Sequence, residues 1–422
     1  MPLLGVNLIQ HDFAPPYCWG GHIIVEYDHP GVRLEVVPSL HAMRAAGLET
    51  LRLFVYHSSK TDGVWPIDSS EGRLVEPYRT NLIRFLDDIR KAGFMQVTVT
   101  FNPWGPNDPI GYTGEPYDPT LFEQNWSFIR DVRTLTQGHG PPSLHFDLLN
   151  EGAPAWWQLP RLSDYVTRIY QRYVDAFGNR DVTISSIAKG MWNAGSTWDD
   201  VQRLQNLIDA LRASGRPLPI WFAVHPSWDA RAIDDLRAVD DVLTRNGLAQ
   251  PLVISESAYE STAVAGAISD FMRTSARPVL EVVTWPLYTD NVSGQGFTVQ
   301  PRCPTLPFRT DEYAKVLRGG PPARTLSGSI GATGQLSLLT AYGDPVRALA
   351  AGTYTLTIRD TSAKHGFRLS GDPYGARFTS RTTGLRYRGT VTWRVKLRAG
   401  WYRVAAKGTR TAREFPVLSP GG

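Results

Sequence analysis

The chain has no uninterrupted apolar run of about 18 residues, so no membrane-spanning helix is expected. It has no low-complexity tract, and its 42% hydrophobic content is that of an ordinary globular protein. The glycine-rich phosphate-binding fingerprint expected after the first strand of a dinucleotide-binding fold is missing. No dedicated nucleic-acid motif is present, so no nucleic-acid partner is expected. The opening stretch Met1-Pro2-Leu3-Leu4-Gly5-Val6-Asn7-Leu8-Ile9 lacks a basic n-region and reads directly as a strand rather than a signal peptide. The two cysteines, Cys18 and Cys303, decide little by themselves.

What is present is a division of charge and of pattern. At 422 residues the chain can hold one large domain and a smaller one. From Arg324 onward there are 16 Lys+Arg against 4 Asp+Glu, a net +12. The whole chain carries +4, so the remainder is a body of net −8. Up to about residue 320, β-rich runs alternate with amphipathic helical stretches. Strands are expected at 4–9, 50–56, 96–101, 143–149, 182–187, 220–224, 252–255 and 279–284. Helical periodicity marks 76–92, through Leu82, Ile83, Phe85, Leu86 and Ile89, and 162–177, through Tyr165, Val166, Ile169 and Tyr173. Gly93, Gly178 and Gly247 stand where helices should stop. Eight strands alternating with helices predict a (β/α)8 TIM barrel over residues 1–318. Cys18 and Cys303 would follow neighbouring strands of that barrel, where a disulfide is geometrically possible. A linker is expected at 319–326, around Arg318-Gly319-Gly320-Pro321-Pro322, and a small all-β sandwich at 327–422.

Two glutamates stand where apolar strands run out: Glu151, after Ser143-Leu144-His145-Phe146-Asp147-Leu148-Leu149-Asn150, and Glu256, after Leu252-Val253-Ile254-Ser255. A carboxylate at the tip of a buried strand is costly to hold. Two facing one cleft are the minimum equipment for cleaving a glycosidic bond. In (β/α)8 enzymes the chemistry lies at the C-terminal ends of the strands. There the sequence also places Arg52, Asn102, Trp104, Asn150, His225, Trp285 and Tyr288. Of the 13 tryptophans, Trp19, Trp65, Trp104, Trp156, Trp157, Trp192, Trp228 and Trp285 fall in segments assigned to that face, whereas Trp126 and Trp221 read as core. Aromatic faces suit the CH-rich faces of sugars. The bland alternatives are carboxylates capping helix N-termini, an arginine serving only an internal ion pair, and a packing histidine. Asp147, internal to its strand, and Glu260 read as bystanders.

This set resembles glycoside hydrolase clan A, the superfamily that includes the cellulase-like family 5 enzymes. The resemblance spans the barrel and is strongest at Asn150-Glu151. It implies a retaining β-glycosidase acting on a glucan- or mannan-like polysaccharide or oligosaccharide. Glu151 would be acid/base, with a raised pKa, and Glu256 the nucleophile. Asn150 would bond the sugar 2-hydroxyl, Arg52 would keep Glu256 ionised, and Trp285 would floor the subsite where the bond breaks. Asn102, Trp104, His225 and Tyr288 complete the implied substrate-binding set. No cofactor and no metal are implied. Two positions depart from the family pattern: Asn102 stands where a histidine is common, and His225-Pro226-Ser227-Trp228 lacks the usual tyrosine, for which Tyr259 or Tyr288 could substitute. That gap motivates an alternative, a retired barrel that only binds carbohydrate; another is transglycosylation by the same glutamates.

Residues 355–417 resemble the small cupredoxin-like domains that end many bacterial secreted proteins, through the run from Thr357 to Gly371 with His365, Gly389-Thr390-Val391-Thr392-Trp393, and Leu397-Arg398-Ala399-Gly400-Trp401-Tyr402. The stretch after Tyr402 has no cysteine, second histidine or methionine, so the fold is expected without copper. The resemblance favours secretion as the expected localisation, with a cytosolic location, in line with the opening stretch that does not read as a signal peptide, as the alternative. The basic tail is either a tether to an anionic polysaccharide or cell wall, or simply an arginine-rich packing domain.

Overall fold

The computed structural model describes residues 2–8, 22–45, 47–61, 66–114, 116–187, 197–257, 262–287, 310–318, 325–340, 346, 349–373, 378–409 and 411–418. The chain divides into two compact units. Met1–Ser227, Asp234–Ser257 and Thr274–Phe308 form the first, and Trp228–Ile233, Ala258–Arg273 and Arg309–Gly422 the second.

The first unit is built on a parallel sheet. Its strands are β1 (Leu3–Leu8), β2 (Thr50–Ser58), β3 (Ile67–Asp68), β4 (Gln96–Pro103), β5 (Ser143–Asp147), β6 (Val182–Thr183), β7 (Ser186–Ile187), β8 (Phe222–His225), β9 (Leu252–Ile254) and β10 (Val279–Leu287). The order is β6-β5-β4-β2-β1-β10-β9-β8-β7, with β3 an appendage on β2. β6 pairs with β5 through Phe146 and Val182, and β7 with β8 through Ile187 and His225. Because β6 and β7 are two halves of one short stretch, the sheet closes on itself through residues 182–187. This is the eight-stranded barrel expected from the alternation, with its fifth strand interrupted at Ile184-Ser185. That interruption frees the Ser185 N–H, which donates to Asp147 Oδ1 at 2.9 Å.

The strands are buried on both faces, as parallel sheets require. On β2, Leu51, Leu53 and Val55 are buried on one side, and Arg52 and Phe54 on the other. Helices Pro30–Ala45, Tyr78–Ala92, Pro119–Leu135, Arg161–Phe177, Thr197–Ala213, Ala232–Arg245 and Thr262–Thr274 alternate with the strands in chain order. The helix at 78–92 ends as its sequence indicates: Gly93 takes a left-handed conformation (φ 89°) and donates to the carbonyls of Arg90 and Ile89. Cys18 and Cys303, and residues 319–324 of the linker expected at 319–326, lie outside the described residues.

The described strands of the second unit form two sheets. β11 (Thr325–Ile330), β12 (Leu336–Thr340), β14 (Gly352–Asp360) and β17 (Gly389–Leu397) make one, in the order β12-β11-β14-β17. β13 (Leu349–Ala350), β15 (Gly366–Pro373), β16 (Arg381–Thr382), β18 (Gly400–Lys407) and β19 (Ala412–Leu418) make the other, in the order β13-β19-β18-β15-β16. Side chains alternate on each strand. Tyr402, Val404 and Ala406 point inward from β18 while Trp401, Arg403 and Lys407 face outward. The inward sets of both sheets share one core, with Leu356, Ile358, Val395 and Leu397 packed with Phe367, Leu369, Tyr402 and Phe415. This is a β-sandwich.

Candidate active site

The centre of the site is Arg52, which is wholly buried. On β2 it is followed at two-residue spacing by Phe54 and Tyr56, so the three share one face of the strand. The guanidinium lies 4.4 Å from the Phe54 ring centre, and Phe54 stacks on Tyr56 at 5.6 Å. Its nitrogens are spent completely. Nε donates to Thr100 Oγ1 (2.9 Å), Nη1 to Glu256 Oε1 (2.7 Å) and Asn7 Oδ1 (3.3 Å), and Nη2 to Asp147 Oδ2 (3.0 Å) and Asn150 Oδ1 (2.7 Å). Asn7 is itself fixed, its Nδ2 donating to the carbonyls of Ser255 (3.2 Å) and Thr284 (2.9 Å). The planar fork of arginine is needed to hold so many acceptors at once. Burial works against the charge of Arg52, but the Glu256 and Asp147 carboxylates outweigh it and raise its pKa further.

Glu151 and Glu256 meet over His225. His225 Nδ1 is 3.0 Å from Glu151 Oε1 and 3.6 Å from Glu256 Oε1. One oxygen from each carboxylate and a ring nitrogen of His225 lie within 4.8 Å of one another. Such a set resembles a cation site, but the Arg52 guanidinium already sits against Glu256 and supplies the compensating positive charge. Glu151 is the one non-glycine residue with positive φ (53°) among the described residues. It is held there by its N–H donating to Ser185 Oγ (2.9 Å) and by Asn150 N–H donating to the Phe101 carbonyl (3.0 Å). The next residue has no room for a side chain: a Cβ on Gly152 would stand 2.7 Å from Leu149 Cδ2 and 2.8 Å from Ile184 Cγ2. A left-handed glutamate costs about 1 kcal/mol or more, and strain of this kind collects at functional positions.

The protonation of Glu151 differs from the sequence expectation of a raised pKa. Burial pushes its carboxyl up, but the His225 hydrogen bond and the charges of His225, Arg52 and Arg203 together bring it below the usual carboxylate range. The tip of a strand in an apolar sequence context promises desolvation; the cations that reverse it come from three other elements.

The remaining predicted residues separate into two groups. Asn102 hydrogen-bonds the Tyr56 hydroxyl, and Trp104, 51% exposed, meets the Tyr56 ring edge-on at 6.4 Å. Trp156 and Trp157 are exposed and T-stacked at 5.7 Å. Trp228 is half-buried, and Trp126 and Trp221 are core, as read. The side chain of Trp285, the whole of Tyr288, Tyr259 and Glu260, and Trp19, Trp65 and Trp192 lie outside the described residues.

Four contributors escaped the sequence reading. Asp147 is no bystander: it pairs with Arg52 and fixes the interrupted fifth strand. Asn7 carries a polar side chain in an otherwise apolar strand, a usable signal. Tyr56 has its pKa pushed up to about 12, first by burial and then by the nearby Glu256 and Glu151 charges, against the opposing Asn102 hydrogen bond and Arg52 charge. The two-residue spacing from Arg52 could have shown it. Arg203, on the helix Thr197–Ala213, lies over the Trp157 ring at 5.1 Å, and its charge reaches Glu151. No local signal distinguishes it from a helix-surface arginine.

No family model and no curated protein sequence matches the chain. Among solved structures it is similar to a GH5 (subfamily 4) endo-β-1,4-glucanase from Bacillus licheniformis complexed with cellotetraose (14% identity, 99% of this chain and 78% of that one, TM-score 0.46). An endoglucanase from Pseudomonas stutzeri is also similar (13%, 68% and 85%, TM-score 0.43). So is an endo-1,4-β-mannanase from Rhizomucor miehei (10%, 74% and 95%, TM-score 0.42). Likeness at this level says nothing of this chain's activity.

Proposed function

We propose that the barrel is a retaining β-glycoside hydrolase for a β-linked glucan- or mannan-like chain. The carrying observation is that carboxylate oxygens of Glu151 and Glu256 lie within 4.8 Å of each other. Retaining glycosidases hold their two carboxyl groups about 5–5.5 Å apart, whereas inverting ones leave room for a water. Glu256, ion-paired to Arg52, is the nucleophile. Its carboxylate oxygen bonds to the anomeric carbon as the glycosidic C–O bond breaks, and the leaving oxygen takes a proton from Glu151. In the second half, Glu151 accepts a proton from water, whose oxygen displaces the Glu256 carboxylate.

The lowered pKa of Glu151 favours its carboxylate in the free protein. Substrate that excludes water from the site would strengthen the opposing effect of burial, which favours the protonated acid. Asn150 accepts from Arg52 through Oδ1, which leaves its amide N–H groups to donate to a sugar hydroxyl. Trp104, Trp156 and Trp157 offer exposed rings for sugar faces.

The strained backbone at Glu151 and the fully spent Arg52 favour a working site over a retired one. We further propose that the tail keeps a cupredoxin-like topology without copper, that it tethers the chain to an anionic polysaccharide, that the domains part at 319–326, and that the protein is secreted.

Glu256→Ala and Glu151→Ala should each abolish turnover of a glycan. With an activated aryl glycoside, azide should restore product formation by Glu151→Ala with retained anomeric configuration. Full activity in Glu256→Ala would refute the assignment.

A further inference from the structure

We infer that the second unit carries a built binding site for a polyanionic polysaccharide, at the place where the edges of its two sheets meet. The inference rests on the sugar-active reading of the barrel and gives the proposed tether its residues. β17 is the edge strand of the four-stranded sheet and β16 that of the five-stranded sheet. Between them lies a cavity of about 400 Å³, lined by Arg381, Arg394, Lys396 and Arg398 with Phe378 and Tyr402 among its walls. That volume is within the range of small-molecule pockets, roughly 300–1,000 Å³.

All four cations are exposed, and among the described residues none of their side chains has an acidic partner. Among the described residues, no acidic residue lines the cavity. Of the tail's few acids, Asp360 is buried and accepts from Thr383 Oγ1 (2.6 Å) and the Ser362 N–H (3.0 Å), which removes it from the surface. The four like charges therefore share one cavity without an acidic partner among the described residues. Holding like charges together destabilises a domain unless a ligand neutralises them.

Their arrangement points to a repeating anion. Arg394, Lys396 and Arg398 fall at alternate positions, while Val395 and Leu397 turn into the core. Successive cations are thus spaced about 7 Å along the strand direction. A single small ion would engage one of them; a chain with recurrent carboxylates or sulfates engages the row, and Arg381 closes on it from the other sheet. Two of the lining residues are aromatic. Phe378 stands edge-on to Tyr402 at 5.1 Å, and Tyr402 Oη is fixed by accepting the Arg398 N–H at 3.0 Å. Aromatic rings beside cations suit a sugar ring bearing an acidic group. Charged residues also guard sheet edges against unwanted pairing. Edge guarding requires neither a concave cavity nor a fourth cation from the opposite sheet.

The test is affinity gel electrophoresis of the full chain, as Glu256→Gln so that nothing is hydrolysed, at low salt. The gels contain polygalacturonate, dextran sulfate or neutral dextran. Retardation is expected in the first two and not in neutral dextran, and the tighter of the two names the acidic group. Arg381→Gln/Arg394→Gln/Lys396→Gln/Arg398→Gln should weaken binding about tenfold or more. Arg359→Gln/Arg368→Gln/Lys407→Gln/Arg413→Gln, an equal charge change away from the cavity, should bind as the parent does, with matching thermal midpoints showing that both variants fold. Equal weakening in the two sets, no retardation by either polyanion, or tighter binding to a single-stranded oligonucleotide of equal charge would overturn the site. Hydrolysis is read separately on the parent chain. Retardation without hydrolysis of any glycan removes the barrel's proposed activity and leaves the tail site. Hydrolysis of glycans without retardation removes the tail site alone.

Discussion

Arg52 and Glu256 form a buried ion pair at 2.7 Å, and the same guanidinium holds Asp147 at 3.0 Å. One cation thus compensates two carboxylates inside a closed barrel. Arg52→Met would leave both without a partner, and a loss of about 3–5 kcal/mol is expected, together with loss of turnover. Urea denaturation measures the first. Arg52→Lys keeps the charge but not the fork, so it should recover part of the stability while remaining far below the parent in kcat. Equal stability of all three proteins would show that the pair carries no structural charge.

The left-handed backbone at Glu151 separates stability from function. Glycine adopts φ near 53° without strain, whereas alanine does not. Glu151→Gly should therefore be more stable than Glu151→Ala by about 1 kcal/mol, with neither turning over a glycan. Paired thermal melts decide it, and an Ala variant at least as stable as the Gly variant would mean that the conformation is not strained.

His225 holds Glu151 below the usual carboxylate range against the opposing effect of burial. Removing the imidazole in His225→Asn leaves burial to dominate, so the Glu151 pKa should rise. The basic limb of the kcat/KM profile, which reports the proton on the acid of the free protein, should move to higher pH as kcat falls. An unmoved limb would show that His225 only packs the site.

At the opposite end of the strands, Glu281 is fully buried, accepts from Thr50 Oγ1 and from Gln96 Nε2 at 2.5 Å, and has its pKa pushed up from 4.5 to about 7, chiefly by burial. The folded state thus binds a proton that the unfolded chain has released between pH 4.5 and about 7. Stability from this group is full below pH 4.5 and is lost as pH rises through 7, amounting to about 3 kcal/mol. Glu281→Gln should flatten that fall, and denaturation at pH 5 and pH 8 measures it. A parent protein equally stable at both pH values would contradict the assignment.

The sequence alone determined the periodic features. The eight-strand alternation, the strand-tip position of Glu151 and Glu256, the arginine in β2 and the switch to short alternating strands after 325 are all local, because helix and strand periods are written within 10 to 20 residues. The contacts of Arg52 were not legible. Its partners Asp147 and Glu256 are 95 and 204 residues away, and only barrel closure brings them to one guanidinium. The direction of the Glu151 pKa belonged to tertiary structure for the same reason. Burial of a strand tip can be read from an apolar run, but His225, Arg52 and Arg203 arrive from β8, β2 and a later helix, and their summed field reverses what burial alone would do. The basic tail shows the same division. Its charge was countable from the residues, while the gathering of Arg381 with Arg394, Lys396 and Arg398 around one cavity required two sheet edges to meet.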